Sequence, residues 1–218
     1  MIQTEGIFAG GATKPYIEEI YNSDGNLIDV KLYGYTKIRD AAFYGCTNLS
    51  LTSLPEGITS IGGSAFAGCE NLALTSLPAR LTSINNHAFY GCPNLALTSL
   101  PEGITSIGDS AFVDCTNLSL TSLPAGLTSI GDAVFYNCTN LALTSLPEGI
   151  TSIGDVVFAY CTGLTSLTFL GTPTSIKSRA FQNCTNLTTI NVPWAEGAVA
   201  DAPWGATNAT INYNYTGG

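Results

Sequence analysis

The chain has 218 residues, of which 45% are hydrophobic and only 11% charged, a composition that favours a packed chain over a disordered one. Its formal net charge of −9, with only seven Lys and Arg, argues against binding built on neutralising a nucleic-acid backbone. No apolar run approaches the roughly 18 residues that a membrane helix needs.

In chain order, the opening "MIQTEGIFAGGATKP" has no basic segment followed by an apolar one, so it does not read as a signal peptide. Next comes "YIEEIYNSDGNLIDVKLYG", two alternating runs around Ser23-Asp24-Gly25-Asn26. Asp-Gly between such runs predicts a β-hairpin, expected here as an N-terminal cap within residues 1–29. A partial coil, "YTKIRDAAFYGC", leads out of it.

From there the chain repeats itself. Cys46, Cys69, Cys92, Cys115, Cys138, Cys161 and Cys184 stand 23 residues apart, the mark of a solenoid, expected over residues 30–193. A Phe (Phe43 to Phe181) sits three residues before each Cys, a Leu (Leu49 to Leu187) three after, and an Ile (Ile61 to Ile176) fifteen after all but the last. Stacked coils would bury these columns in one continuous core. A coil of 23 residues is too short for two helices and their turns. "LALTSLP" predicts a strand stopped by its Pro, and "GDSAFVDC" a tight turn into a short helical turn. The column Asp40, Gly63, Asn86, Asp109, Asp132, Asp155, Ser178 is close to the menu of helix N-caps, and capping is preferred there to calcium binding.

The pattern "LxxIxxxAFxxCxxLxx" resembles the BspA-like leucine-rich repeats of bacterial surface proteins, over roughly residues 30–193. The resemblance implies a right-handed, curved α/β repeat solenoid with a parallel β-sheet on its concave face and short helical turns outside. It also implies binding of protein or matrix without catalysis, at the cell surface. One feature departs from the family: the usual strand, as in "CTNLTTINVP" of the last coil, is replaced in five middle coils by "NLxLTSLP". This moves Leu51, Leu74, Leu97, Leu120 and Leu143 one place early. Either each coil bulges and these leucines still face inward, or they form an apolar stripe on the concave face with Thr52 and its equivalents inside. The first is preferred because it buries leucine rather than threonine.

The cysteines read as a ladder of small buried groups, ahead of inter-coil disulfides or metal, since no pair has zinc-ligand spacing. His87, the only histidine, falls in a variable column and reads as a surface imidazole. No nucleophile–base set or phosphate-binding motif is present, so neither an enzyme nor a cofactor is expected. Two columns alternate with a double period: Tyr44, Tyr90 and Tyr136 against Ala67, Val113 and Ala159, and Glu56, Glu102 and Glu148 against Ala79 and Ala125. The tyrosines read as convex-side packing or as a periodic ligand-contact strip. After Pro193 the period is expected to break into a closing segment, residues 194–218. There Trp194 and Trp204 cover the last coil, or else offer exposed aromatic contacts, and "ATINYNY" ends in a strand. The tail resembles segments that close such repeats in surface and prophage tail-associated proteins.

The expected partner is a protein or an extracellular-matrix or host-surface ligand, with a glycan as an alternative; a structural spacer is the competing function. The candidate ligand-binding residues are the row Ser53, Ser76, Ser99, Ser122 and Ser145, projecting from the sheet, and the strip Tyr44, Tyr90 and Tyr136. A monomer is favoured.

Overall fold

The computed structural model describes residues 15–217, so the segment read for a signal peptide lies, except for Pro15, outside the described residues. Strands β1 (Tyr16–Tyr21) and β2 (Leu27–Tyr33) pair antiparallel, as the Asp-Gly turn predicts, with Tyr16 opposite Tyr33. Asn22 fixes the turn: its side-chain oxygen accepts from the N–H groups of Asp24 and Asn26, and Gly25 takes φ +79°. Val30 and Leu32 of β2 are buried in the common core, and the Ser50 N–H donates to the Ile28 carbonyl. The hairpin therefore lies against the first coil.

Each later coil makes one short strand at its Thr-Ser-Ile run, which reads Thr-Lys-Ile in the first. These are β3 (Lys37–Ile38), β4 (Ser60–Ile61), β5 (Ser83–Ile84), β6 (Ser106–Ile107), β7 (Ser129–Ile130), β9 (Ser152–Ile153) and β11 (Ser175–Ile176). They stack in parallel register, β3-β4-β5-β6 and β7-β9-β11, with Ile above Ile. Ahead of the Ser-Ile pairs from Ser60 to Ser152 the strand-ending Pro starts a tight turn, its carbonyl accepting from the N–H three residues on, as in Pro101 to Ile104.

The strand expected at "LALTSLP" is regular only late in the chain, as β8 (Ser145–Leu146), β10 (Ser166–Phe169), β12 (Thr189–Asn191) and β13 (Thr210–Asn212). In earlier coils the inward leucines are spaced two and then three residues apart, as in Leu72, Leu74 and Leu77. The extra residue falls inside the segment and bulges it. Between coils the bulged segment keeps bonds such as Ala96 N–H to the Leu74 carbonyl, 3.0 Å. In Leu164, Leu167 and Phe169 the wider spacing comes first, so the alternation needed for a strand survives at the end. Leu51, Leu74, Leu97, Leu120 and Leu143 are all buried and the Thr52 column is exposed, which settles the departure in favour of the bulge.

No helix forms among the described residues, and the expected helical turn is a different structure. The residue after every supposed cap except Ser178 has positive φ: Ala41, Ser64, His87, Ser110, Ala133 and Val156 lie between 48° and 57°. Four residues on, the backbone is left-handed again, at Gly45, Gly68, Gly91, Asp114, Asn137, Tyr160 and Asn183. A left-handed residue costs roughly 1–2 kcal/mol, and a ladder offsets it. The N–H groups of Ala41, Phe43 and Gly45 donate to the carbonyls of Gly63, Ala65 and Ala67 in the next coil, each at 2.8 Å, and the pattern recurs along the stack. A helix would spend those N–H groups internally.

The Asx column is likewise not a set of local caps. Asp40 accepts from Gly63 N–H (2.7 Å), Asn86 from Asp109 (3.0 Å), Asp109 from Asp132 (2.9 Å) and Asp132 from Asp155 (2.7 Å). Each side chain thus holds the equivalent residue one coil on, and it excludes a side chain from the position before that residue. A Cβ on Gly62, Gly108, Gly131 or Gly154 would stand 2.2–2.5 Å from the Asp or Asn oxygen below it. Where the column holds Gly63 there is no such oxygen, and the next coil carries Asn85 instead of glycine. Asp155 is drawn into an ion pair with Arg179, and there the following position is Lys177.

One core runs through the stack. Phe43, Phe66, Phe89, Phe112, Phe135, Phe158 and Phe181 lie nearly parallel, centroid to centroid 5.1–5.7 Å. The 23-residue period breaks after Pro193, as the sequence suggests, but the stack itself continues. Trp204 follows Phe181 by 23 residues and accepts the Phe181 N–H at its carbonyl. Asn208 donates to the Thr185 carbonyl as Asn186 does to Thr162, and β13 pairs in parallel with β12. A shortened coil with Trp for Phe and Ala206 for Cys continues the stack. Trp194 and Trp204 are buried against Phe169, at 5.2 and 6.2 Å, so they are core residues and not exposed contacts.

Candidate binding surface

The columns that carry leucine inward carry hydroxyls outward. Ser53, Ser76, Ser99 and Ser122 are exposed and Ser145, inside β8, is half-buried. The repeat stacks these five in one row, flanked by the exposed Thr52, Thr75, Thr98, Thr121 and Thr144. Their hydroxyls make no hydrogen bond within the chain among the described residues. The Thr-Ser-Ile side differs: Thr59, Thr151 and Thr174 donate their hydroxyls to the carbonyls of Thr36, Thr128 and Thr151, at 2.9–3.1 Å. One flank spends the hydroxyls of Thr59, Thr151 and Thr174 on the stack, and the serine row leaves its hydroxyls for solvent or a partner.

Tyr44 and Tyr90 are exposed, at 68% and 42%, and Tyr136 is half-buried. They lie on the turn segment, so the structure does not join them to the serine row. His87 is exposed beside Tyr90, ring centroids 5.9 Å apart, as expected of a surface imidazole. One residue escaped the sequence reading. Leu170 is 56% exposed and borders a shallow groove with Leu123, Ser145 and Pro147. Its signal was present, because it stands where the preceding coils carry the strand-ending Pro.

The cysteines are free thiols. Six are buried, and each donates to the carbonyl of a Phe in the preceding coil, as Cys115 to Phe89 at 3.1 Å and Cys138 to Phe112 at 3.0 Å. Burial pushes these thiols well above their ordinary range, Cys184 to about 12. They are inert structural groups. Cys46 in the first coil is half-buried, and burial raises it too. Among the described residues no group of His, Cys, Asp or Glu is placed to hold a metal ion, and no helix is long and apolar enough to cross a membrane.

The family model described as the BspA type leucine rich repeat region matches in six copies, over residues 36–165 and 128–197. Among solved structures, a leucine-rich repeat protein of T. pallidum is similar at 27% identity, covering 68% of this chain and 87% of that one, with a TM-score of 0.45. A leucine rich cell surface protein of Faecalibacterium prausnitzii is similar at 25% identity, covering 83% and 64%, TM-score 0.43. A leucine-rich repeat protein of Bacteroides ovatus is similar at 18% identity, covering 94% and 76%, TM-score 0.42. No curated protein matches.

Proposed function

As the chain belongs to the BspA-type leucine-rich repeat family, whose model spans most of it, we propose that it is a non-catalytic binding module acting at a bacterial cell surface. The partner is a protein of the extracellular matrix or host surface, lying across several coils on the serine row. The observation that carries this is the row of free hydroxyls at Ser53, Ser76, Ser99, Ser122 and Ser145, held by a backbone that the Phe, Cys and Asx ladders fix from below. Rigid donors and acceptors bind without the ordering cost that mobile ones incur. Affinity would come from many weak contacts, and the scarcity of charge suits polar over ionic recognition. Residues 15–33 and 194–217 act as end caps of the solenoid, the hairpin at one end and the shortened coil at the other.

The test is a solid-phase screen against purified host matrix proteins, comparing the native chain with Ser99→Arg and His87→Arg. Ser99→Arg should weaken capture about tenfold or more, since a bulky charge there cannot be buried unpaired. His87→Arg, on the turn segment, should leave capture unchanged, and both variants should melt like the parent. Loss by the His87 variant with retention by the Ser99 variant would reject the serine face. The near-identity of the middle coils also favours a second reading, a spacer whose coils set length. Binding of no matrix protein, with free tolerance of added coils, would support it.

A further inference from the structure

The thiol ladder is open at one end. Cys69 and the five thiols beyond it are buried, whereas Cys46, in the first coil, is half-buried. Each buried thiol donates to the Phe carbonyl 26 residues earlier, and at that distance before Cys46 stands Ile20 of the hairpin. What covers Cys46 is the hairpin itself: Glu19 and Tyr21 of β1 lie close enough to share its electrostatic field.

The next thiol of the ladder is within reach of Cys46. The Phe43 carbonyl accepts the Cys46 N–H at 3.1 Å and the Cys69 thiol at 3.0 Å, so the two residues meet on one oxygen. Beside them the Gly45 N–H donates to the Ala67 carbonyl at 2.8 Å, and the Phe43 and Phe66 rings stand 5.1 Å apart. Coils joined by such bonds bring equivalent Cα atoms within the roughly 4.4–6.8 Å that a disulfide spans. Burial raises the Cys69 thiol first, then its neighbours Cys92 and Cys46, so the sulfurs sense one another along the column.

We propose that Cys46 is an oxidation site with Cys69 as its resolving partner, so that a hydroperoxide links the first two coils through a disulfide. The Cys46 thiolate attacks the peroxide: an S–O bond forms, the O–O bond breaks, and an alcohol leaves, or water from hydrogen peroxide. Sulfur gives up two electrons and the peroxide takes them. The Cys69 sulfur then attacks the sulfenic sulfur, S–S replacing S–O, and hydroxide leaves with the Cys69 proton as water. Two thiols and one hydroperoxide thus become one disulfide, one alcohol and one water. The Phe43 carbonyl loses the Cys69 donor but keeps the Cys46 N–H, so no buried acceptor is orphaned. Burial, and then Glu19, hold Cys46 above its ordinary range, so the reaction is slow at neutral pH and quickens as pH rises. An end coil has one neighbour and opens first, and the link fastens the hairpin and first coil to the second.

The probe is hydrogen peroxide applied to the native chain, followed by alkylation under denaturing conditions, trypsin and mass spectrometry. Residues 40–80, released at Arg39 and Arg80, hold Cys46 and Cys69 and no other cysteine. That peptide should come out unlabelled and about 2 Da lighter than its reduced form, and dithiothreitol should restore both thiols. Cys92 to Cys184 should label in full. Cys69→Ala, a residue the column already holds at Ala206, should leave Cys46 as a sulfenic acid that dimedone traps, and Cys46→Ala should leave Cys69 reduced. The oxidised chain should unfold at higher urea than the reduced one, a shift that Cys46→Ala abolishes. An unreactive Cys46, its oxidation past the sulfenic acid without the light peptide, equal loss of the deeper thiols, or an unchanged or lowered midpoint would overturn the proposal.

Discussion

The buried thiols show how one residue type serves the stack. Cysteine is small enough to repeat in every coil and still brings a donor to a Phe carbonyl, so the column leaves no void and no orphan donor. A folded thiol held above its unfolded value keeps its proton, so the stability it contributes is complete below the unfolded range near pH 8.5 and is lost as pH rises through it. Each buried thiol should then steepen alkaline destabilisation by up to about 1.4 kcal/mol per pH unit. Urea midpoints measured from about pH 8 to 11 should fall steeply, and Cys115→Ala should flatten the fall. A midpoint independent of pH would mean the thiols are reachable by water. The column, its period and its burial were all legible in the sequence. Its hydrogen bond was not, because the accepting carbonyl belongs to a coil 26 residues earlier and only the stacking distance brings it within reach.

Between coils, the turn segment was misread for an instructive reason. Asp or Asn ahead of Ala-Phe is a helix-start signal judged locally, yet here the side chain answers an N–H in the next coil, and left-handed residues divert the backbone into an axial ladder. The signal that separates the two was in the sequence: glycine precedes the column where the previous coil has Asp40, Asn86, Asp109 or Asp132, and not where it has Gly63. Gly131→Ala should therefore cost about 1–3 kcal/mol, the usual range for an overpacked site. In an Asp109→Ala background the same change should cost much less, since the colliding oxygen is gone. A double-mutant cycle on denaturant midpoints checks this, and equal costs in both backgrounds would reject the contact. The bulge in "LALTSLP" was legible as an alternative from leucine spacing alone. The shortened last coil was missed because two deleted residues hide Trp-Gly-Ala-Thr-Asn behind an unfamiliar spacing, with Thr207-Asn208 standing 22 and not 23 residues after Thr185-Asn186.

At the scale of the whole molecule, the stack is held by contacts between neighbours only: Phe on Phe, thiol to carbonyl, Asx to N–H, Ile strand to Ile strand. Such an array has no unique centre, and its stability is a sum over coils and their interfaces. The candidate surfaces inherit this. The serine row and the tyrosine strip were readable as columns, whereas their placement on separate flanks, and the fact that one hydroxyl row is free while the other is spent in part, depend on the backbone path. The most direct test of the account is to remove one coil in phase and one out of phase. Deleting residues 116–138 joins Cys115 to Thr139 and restores every 23-residue column, whereas deleting 116–137 shifts them all by one residue. Followed by urea unfolding, the in-phase deletion should give a cooperative transition with a slightly smaller slope, and the out-of-phase deletion should lose cooperative unfolding. Two deletions that behave alike would contradict the account.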